Sequence, residues 1–354
     1  SNMENINAVM IQDGVPQSER GNNANRKLLI IGNGFDRAHS LQTSYEHFKK
    51  YMSDLIREYE GLDKSENCIR LKDIPKSTIP NILTMDGMIA DYEQERKIVY
   101  WLIDDVAKKK HNVMWSEFEN YLGQLRTDKV IKKWGEDRLY AQCLKDSIDD
   151  ISGFFFEWIN TIDLSVAKKK EPYMSLINGK RDIALSFNYT ETLEYVYGMN
   201  TSNICYIHGQ RETDVALQQE KNMRPFGKNN SELGVGFGSK YVRNSKEADK
   251  KSLLMGLYKD TESNIYHYKD FFDRIVHDEI KEIYTWGFSF SDVDMPYIEK
   301  ICDVLRREER DGEMTWFIAP YGNILQRIRD EIHFRKCIRK AGFRGKICRQ
   351  KSNT

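Results

Sequence analysis

A histidine and an asparagine end two consecutive apolar runs, His208 after Ile204–Ile207 and Asn188 after Ile183–Phe187. An imidazole at the end of a buried strand is placed for proton transfer near neutral pH, and Gly209 removes bulk beside it. The plainer readings are a satisfied core histidine and an asparagine that makes a turn. A third break of the same kind follows Leu28–Ile31, where the chain runs Gly32-Asn33-Gly34-Phe35-Asp36. Two glycines there permit a tight turn and close approach to bare backbone, and amides opening the next helix would face an anion. The same glycines also suit an ordinary strand-to-helix turn. Asp36, an anion where a diphosphate would lie, points to a different duty: capping the helix, or meeting a ribose hydroxyl or a cationic ring. A fourth break is Gly287-Phe-Ser289 after Ile283–Trp286. Gly287 and Ser289 read as a second backbone-approach site for a ribose or an adenine, while Ser291 or Asp292 suits a helix N-cap with Asp294 in the first turn.

Such breaks share a meaning only if the runs before them are neighbouring strands. In an open parallel sheet the ligand lies off the carboxyl ends of the strands, so Gly32, Asn188, His208 and Gly287 are expected to be neighbours. Further short apolar runs, Leu233–Phe237 and Thr315–Ala319, extend the series. Between the first and second runs the pattern turns helical. Tyr45 to Tyr59 and Tyr92 to Lys109 read as helices, and Leu144, Ile148, Ile151, Phe155, Trp158 and Ile162 step by four and three, the spacing of a buried face. The expectation is an α/β chain: a Rossmann-like parallel sheet between helices, forming one domain over residues 26–354. A helical insertion occupies about 45–175, and the polar residues 1–25 form a flexible leader.

Lys and Arg balance Asp and Glu at 54 each, so net charge points to no polyanionic partner. The stretch Arg335 to Lys351 is basic without an acid, but has few aromatics to stack bases; a solvated surface is expected and nucleic acid is not. The cysteines are scattered without CxxC spacing, which disfavours a zinc or redox site and suits reduced thiols in a cytoplasm. No metal is expected. No apolar run approaches the about 20 residues of a membrane span, and the polar start lacks the apolar core of a signal peptide. The full GxGxxG fingerprint fails at Arg37, and no acid closes the second strand, so an ordinary dehydrogenase is disfavoured.

Taken in order, Ile31-Gly-Asn-Gly-Phe-Asp36, Thr43-Ser-Tyr45 with Phe48, Trp115-Ser-Glu-Phe-Glu119, Phe187-Asn-Tyr-Thr-Glu-Thr-Leu-Glu194, Ile207-His-Gly209 and Gly287-Phe-Ser-Phe-Ser-Asp-Val-Asp294 form a set that resembles the bacteriophage abortive-infection family AbiH. Where that family reads Gly-Leu-Pro, this chain has Ser40-Leu41-Gln42. The family is in turn similar to sirtuin-like NAD-binding proteins. The resemblance implies a phage-defence protein with NAD or a related nucleotide as its ligand. Asn188 and His208 would be its catalytic residues, and the nucleotide would be held by Gly32, Asn33, Gly34, Phe35, Asp36, Tyr189, Gly287, Ser289 and Asp292. The zinc-binding cysteine pairs of deacylating sirtuins are missing, so the implied reaction is cleavage of NAD by water. It further implies a restraint until infection, supplied by the helical insertion or an oligomer interface, with a homo-oligomer or a phage-derived trigger as the expected partner. A nucleotide sensor that does no chemistry and a nucleic-acid-binding effector are the alternatives.

Overall fold

The computed structural model describes residues 24–60, 155, 158–211 and 261–351. Its centre is a six-stranded sheet of β1 (Lys27–Ile31), β2 (Ile183–Ser186), β3 (Ile204–Tyr206), β4 (Glu282–Trp286), β5 (Thr315–Ile318) and β6 (Lys346–Arg349). The order is β3-β2-β1-β4-β5-β6 with every neighbouring pair parallel. The chain thus builds outward from β1 to one edge, returns to the middle, and builds outward to the other.

Continuous apolar strands form here because both faces of the sheet are covered. Leu28, Ile30, Ile183, Leu185 and Trp316 point to one side, where they meet Phe272 and Ile275 of α6 (Lys269–His277), Ile298, Ile301 and Leu305 of α7 (Met295–Arg307) and Ile338 of α8 (Ile324–Lys340). Leu29, Ile31, Ala184 and Trp286 point to the other. There they pack on Phe35 of α1 (Asn33–Ala38), Tyr173 and Leu176 of α3 (Tyr173–Leu176) and Leu193 of α4 (Thr192–Tyr197). Two further α-helices among the described residues are α2 (Tyr45–Glu60) and α5 (Thr261–His267). The protein is therefore an α/β fold with helices on both sides of a parallel sheet, and none of the described helices is long and apolar enough to cross a membrane.

Five expected strands, β1 to β5, appear within a residue or two of their apolar runs. The sixth run, Leu233–Phe237, lies outside the described residues, as do most of the leader at 1–25, the helix at 92–109 and most of the expected insertion at 45–175. Phe48 of α2 packs against Phe155 and Trp158 at 5.8 and 5.2 Å, which brings together two stretches of the span expected to be an insertion. Strand β6 was not expected. Its single buried residue, Ile347, sits between basic neighbours because the strand is a half-exposed edge, where the apolar signal is weakest.

Strands β1 and β4 converge to backbone contact just past their ends. The amide of Gly32 donates to the carbonyl of Trp286 and that of Gly34 to the carbonyl of Gly287, both at 3.0 Å. A Cβ on Gly34 would lie 2.7 Å from the Cα of Gly287, and one on Gly287 would lie 2.0 Å from the amide nitrogen of Phe35. Gly287 also holds φ at 62°, a region that disfavours a side chain. The glycines were expected to admit a ligand; in the structure they admit each other's backbone.

Replacement of Gly287 by Ala should therefore cost more than about 3 kcal/mol, or prevent folding. Gly312→Ala, at a position with open space around it, should leave the urea midpoint nearly unchanged. A Gly287→Ala protein as stable as the parent would show that the two strands do not close as described.

Candidate functional site

The register of the sheet sets the site. Ile31 pairs with Ser186 on one side and Trp286 on the other, and Ser186 pairs with Tyr206. The residues that follow these four strands therefore emerge at one level, along one edge. Asn188 is tied into that edge at two points. Its backbone amide donates to Ser186 Oγ at 3.2 Å, and its Nδ2 donates to the carbonyl of Gly32 at 2.8 Å. The asparagine makes its turn and also clamps β2 to the glycine loop, so the expected adjacency of Asn188, Gly32 and Gly287 holds.

A second clamp lies two residues on. The buried Asp36, 1 % exposed, accepts from Thr190 Oγ1 through Oδ2 and from Thr192 Oγ1 at 2.7 Å through Oδ1. Asp36 neither caps α1 nor faces the edge; both of its oxygens hold the start of α4. Burial lifts its carboxyl from the usual 3.8 to about 6, against the threonine hydrogen bonds and the positive charge of Arg211, which pull it down. Arg211, just past His208 in the chain, is itself buried. Its guanidinium makes a two-pronged pair with Glu191, at 2.8 and 2.6 Å, and donates to the carbonyls of Ile159 and Ile162. One side chain thus joins the exit of β3, the entry of α4 and the turn at Ile159 to Ile162.

His208 sits one strand further out and is 3 % exposed. Its ring lies edge-on to Phe187 at 5.6 Å and to Tyr297 at 6.0 Å, and tilted to Tyr189 at 6.3 Å. Tyr297 is held in turn by Asn264, whose Nδ2 reaches both the phenol oxygen at 2.9 Å and the carbonyl of Ile207 at 2.6 Å. A carboxylate faces this aromatic box: Asp294 Oδ1 stands 3.4 Å from His208 Nε2. An imidazole flanked by rings and faced by a carboxylate is an arrangement suited to a general base.

Asn188, Asp36, Thr190, Thr192, His208 and Asp294 come from the segments quoted for the family resemblance, and the family model described as Bacteriophage abortive infection AbiH matches residues 28–318. The chain belongs to the AbiH family. Membership implies a part in abortive infection, a defence against phage. No curated protein and no solved structure matches the chain.

The AbiH motif residues named from sequence are distributed unevenly by the fold. Phe35 is a core side chain, stacked on Trp286 at 6.1 Å and edge-on to Tyr173 at 5.1 Å, and is not presented to a ligand. The loop amides of Gly32, Gly34 and Phe35 donate to carbonyls of Trp286, Gly287 and Gly32, so they are spent within the protein. Asn33 and Gly34 are half-buried and Gly287 is exposed, and these line the edge. Ser289 is half-buried with its carbonyl 3.3 Å from His333 Nε2, and Asp292 is exposed. Within the basic segment, Arg335 and Arg349 pair with Glu331 while Arg339 donates to the carbonyls of Phe343 and Gly345. No group of three or more potential metal-ligating side chains occurs among the described residues.

Sequence reasoning missed Asp294, which it placed only in a first helical turn, and Arg211. The signal for Asp294 was a second acid two residues after Asp292, more than one helix start needs. Arg211 gave none.

The folded state holds the Asp36 proton more tightly than the unfolded chain does. The stabilisation is therefore complete below the unfolded value of 3.8 and lost as pH rises through about 6. Relative to Asp36→Asn, the parent should gain up to about 3 kcal/mol on acidification across that window. Urea melts of both proteins across this window would show it, and a difference that stays flat with pH would contradict the assignment.

Proposed function

We propose that this AbiH protein binds NAD or a related nucleotide along the carboxyl edge of its sheet and hydrolyses the N-glycosidic bond, with His208 as the base. The observation that carries the reading is the imidazole of His208 at the end of β3, enclosed by Phe187, Tyr189 and Tyr297 and faced by Asp294. The strand order supports it: β3-β2-β1-β4-β5-β6 is that of doubly wound dinucleotide-binding sheets, whose ligand lies across the carboxyl ends where the order reverses, here between β1 and β4.

On this reading the diphosphate lies over Asn33, Gly34 and Gly287, beside Gly32, and the adenosine ribose toward Ser289 and Asp292. Asn188 and Tyr189 border the nicotinamide ribose. The bond from C1′ to the pyridinium nitrogen breaks with its electron pair moving to nitrogen, and nicotinamide leaves neutral. Positive charge builds on the ribose as an oxocarbenium ion, water oxygen bonds to C1′, and His208 takes the water's proton. The Asn188 carboxamide orients the ribose or the water. Phe35 and Asp36 support the loop from below.

His208 and Asn188 are 3 % and 6 % exposed, which favours a covered resting state. Such a cover suits an enzyme restrained by an oligomer until infection and released by a phage-derived trigger. It equally favours the second reading, a sensor that binds a nucleotide and changes shape without chemistry.

Purified protein would be incubated with NAD, NADP, ADP-ribose and ATP, with and without extract of phage-infected cells, and each nucleotide followed by mass. The expected result is nicotinamide and ADP-ribose from NAD, reduced about 100-fold or more in His208→Ala. NAD left intact while a nucleotide raises Tm would favour the sensor. His208→Ala cleaving at the parent rate would remove the histidine's role.

A further inference from the structure

We propose that Asp294 is a positioning residue for His208: released from capping α7, its carboxylate holds the imidazole with the Nε2 proton toward α7, which makes Nδ1 the basic atom. The inference rests on the reading of His208 as the base.

Three observations carry it. Asp294 occupies the N-cap position of α7, where an aspartate ordinarily bonds the helix's first amides, yet its side chain makes no such bond. The carboxylate turns outward instead, with Oδ1 at 3.4 Å from His208 Nε2 while Ser291 Oγ donates to Oδ2 at 3.3 Å. The serine thereby fixes the plane of the carboxylate, so that one oxygen is presented to the ring. Both partners are shielded, with side chains 4 % and 14 % exposed, and a charge pair in such surroundings is screened little by water.

The second observation concerns the helix. A carboxylate beside the N-terminus of α7, a helix of 13 residues, is stabilised as an anion by the positive end of the helix dipole. Pro296 brings no amide of its own, and the amide of Met295 is occupied by the Ser291 carbonyl at 3.2 Å. The capping bond is thus forgone where little donor capacity remains to claim it.

The third concerns the ring. Tyr189, from the exit of β2, and Tyr297, from α7, bring phenol rings to His208, and Phe187 brings an apolar one; Asp294 contributes the carboxylate among the groups facing the imidazole. The Asn264 bridge between Tyr297 and the Ile207 carbonyl holds the helix against the strand end, which keeps the carboxylate at its distance. A carboxylate so placed selects the tautomer of a histidine and stabilises its protonated form.

The test is the titration and tautomer of His208 by NMR in histidine-labelled protein, with His208→Gln assigning the signals. In the parent the proton should reside on Nε2; a proton on Nδ1 overturns the proposal without any variant. In Asp294→Asn the titration midpoint should fall by roughly one pH unit or more, and Asp294→Glu should restore most of the shift. An unchanged midpoint in a folded Asp294→Asn protein also overturns it. In turnover of NAD, Asp294→Asn should lower kcat about 100-fold, leave KM little changed and move the acid limb of the pH profile in step with the NMR midpoint. Parent-like kcat would rule out positioning. If the parent itself leaves NAD intact, the hydrolase reading fails, while the titration still decides whether Asp294 governs His208.

Discussion

Everything at the carboxyl edge depends on how closely β1 and β4 approach. Three residues without side chains, Gly32, Gly34 and Gly287, let two backbones touch where the order of the sheet reverses. Side-chain atoms cannot be accommodated there, because interiors are packed too tightly to absorb an overlap with backbone. The contact starts α1 at a set angle. That angle puts the Gly32 carbonyl within reach of Asn188 and the Asp36 carboxylate beneath Thr190 and Thr192. Each hydrogen bond contributes about 1 kcal/mol on its own, but they share one geometric origin and fail together if the strands part.

The polar groups behind the edge form a second constraint. A carboxylate as deeply buried as Asp36 is costly, as its raised pKa records, and two hydroxyl donors with Arg211 nearby offset only part of that cost. Arg211 is more fully compensated, with Glu191 on one side of the guanidinium and the carbonyls of Ile159 and Ile162 on another. Buried networks of this sort tolerate few alternative arrangements, since every donor left unmatched is penalised. Their effect here is to hold the β3 exit, and with it His208, in one position relative to β1 and β2.

His208 and Asp294 stand apart from this scaffolding. Clamps explain Asn188, Asp36, Thr190 and Thr192, and backbone packing explains the glycines. By contrast an imidazole enclosed by three rings and faced by a carboxylate does little to hold the strands together, and α7 forgoes a side-chain cap to supply that carboxylate. For an AbiH protein, where the family implies phage defence, this pair is the part of the edge best suited to chemistry.

What could be read from residues alone was whatever depends on local periodicity. Continuous apolar runs marked five of the six strands, because a strand buried on both faces has no polar side to disguise it. Repeated polar breaks after those runs correctly brought Gly32, Asn188 and Gly287 together, since parallel strands end on the same side. Strand β6 stayed hidden, its edge position leaving Lys346 and Arg349 exposed around Ile347. The duties of the motif residues were decided only by tertiary structure. Whether Gly32 faces a phosphate or Gly287, whether Asp36 meets a ribose or two threonines, and which of Asp292 and Asp294 turns toward His208 all depend on contacts between residues up to more than 250 positions apart. Spacing along the chain carries no record of such distances, because they are set by how the strands are ordered and how tightly their backbones close.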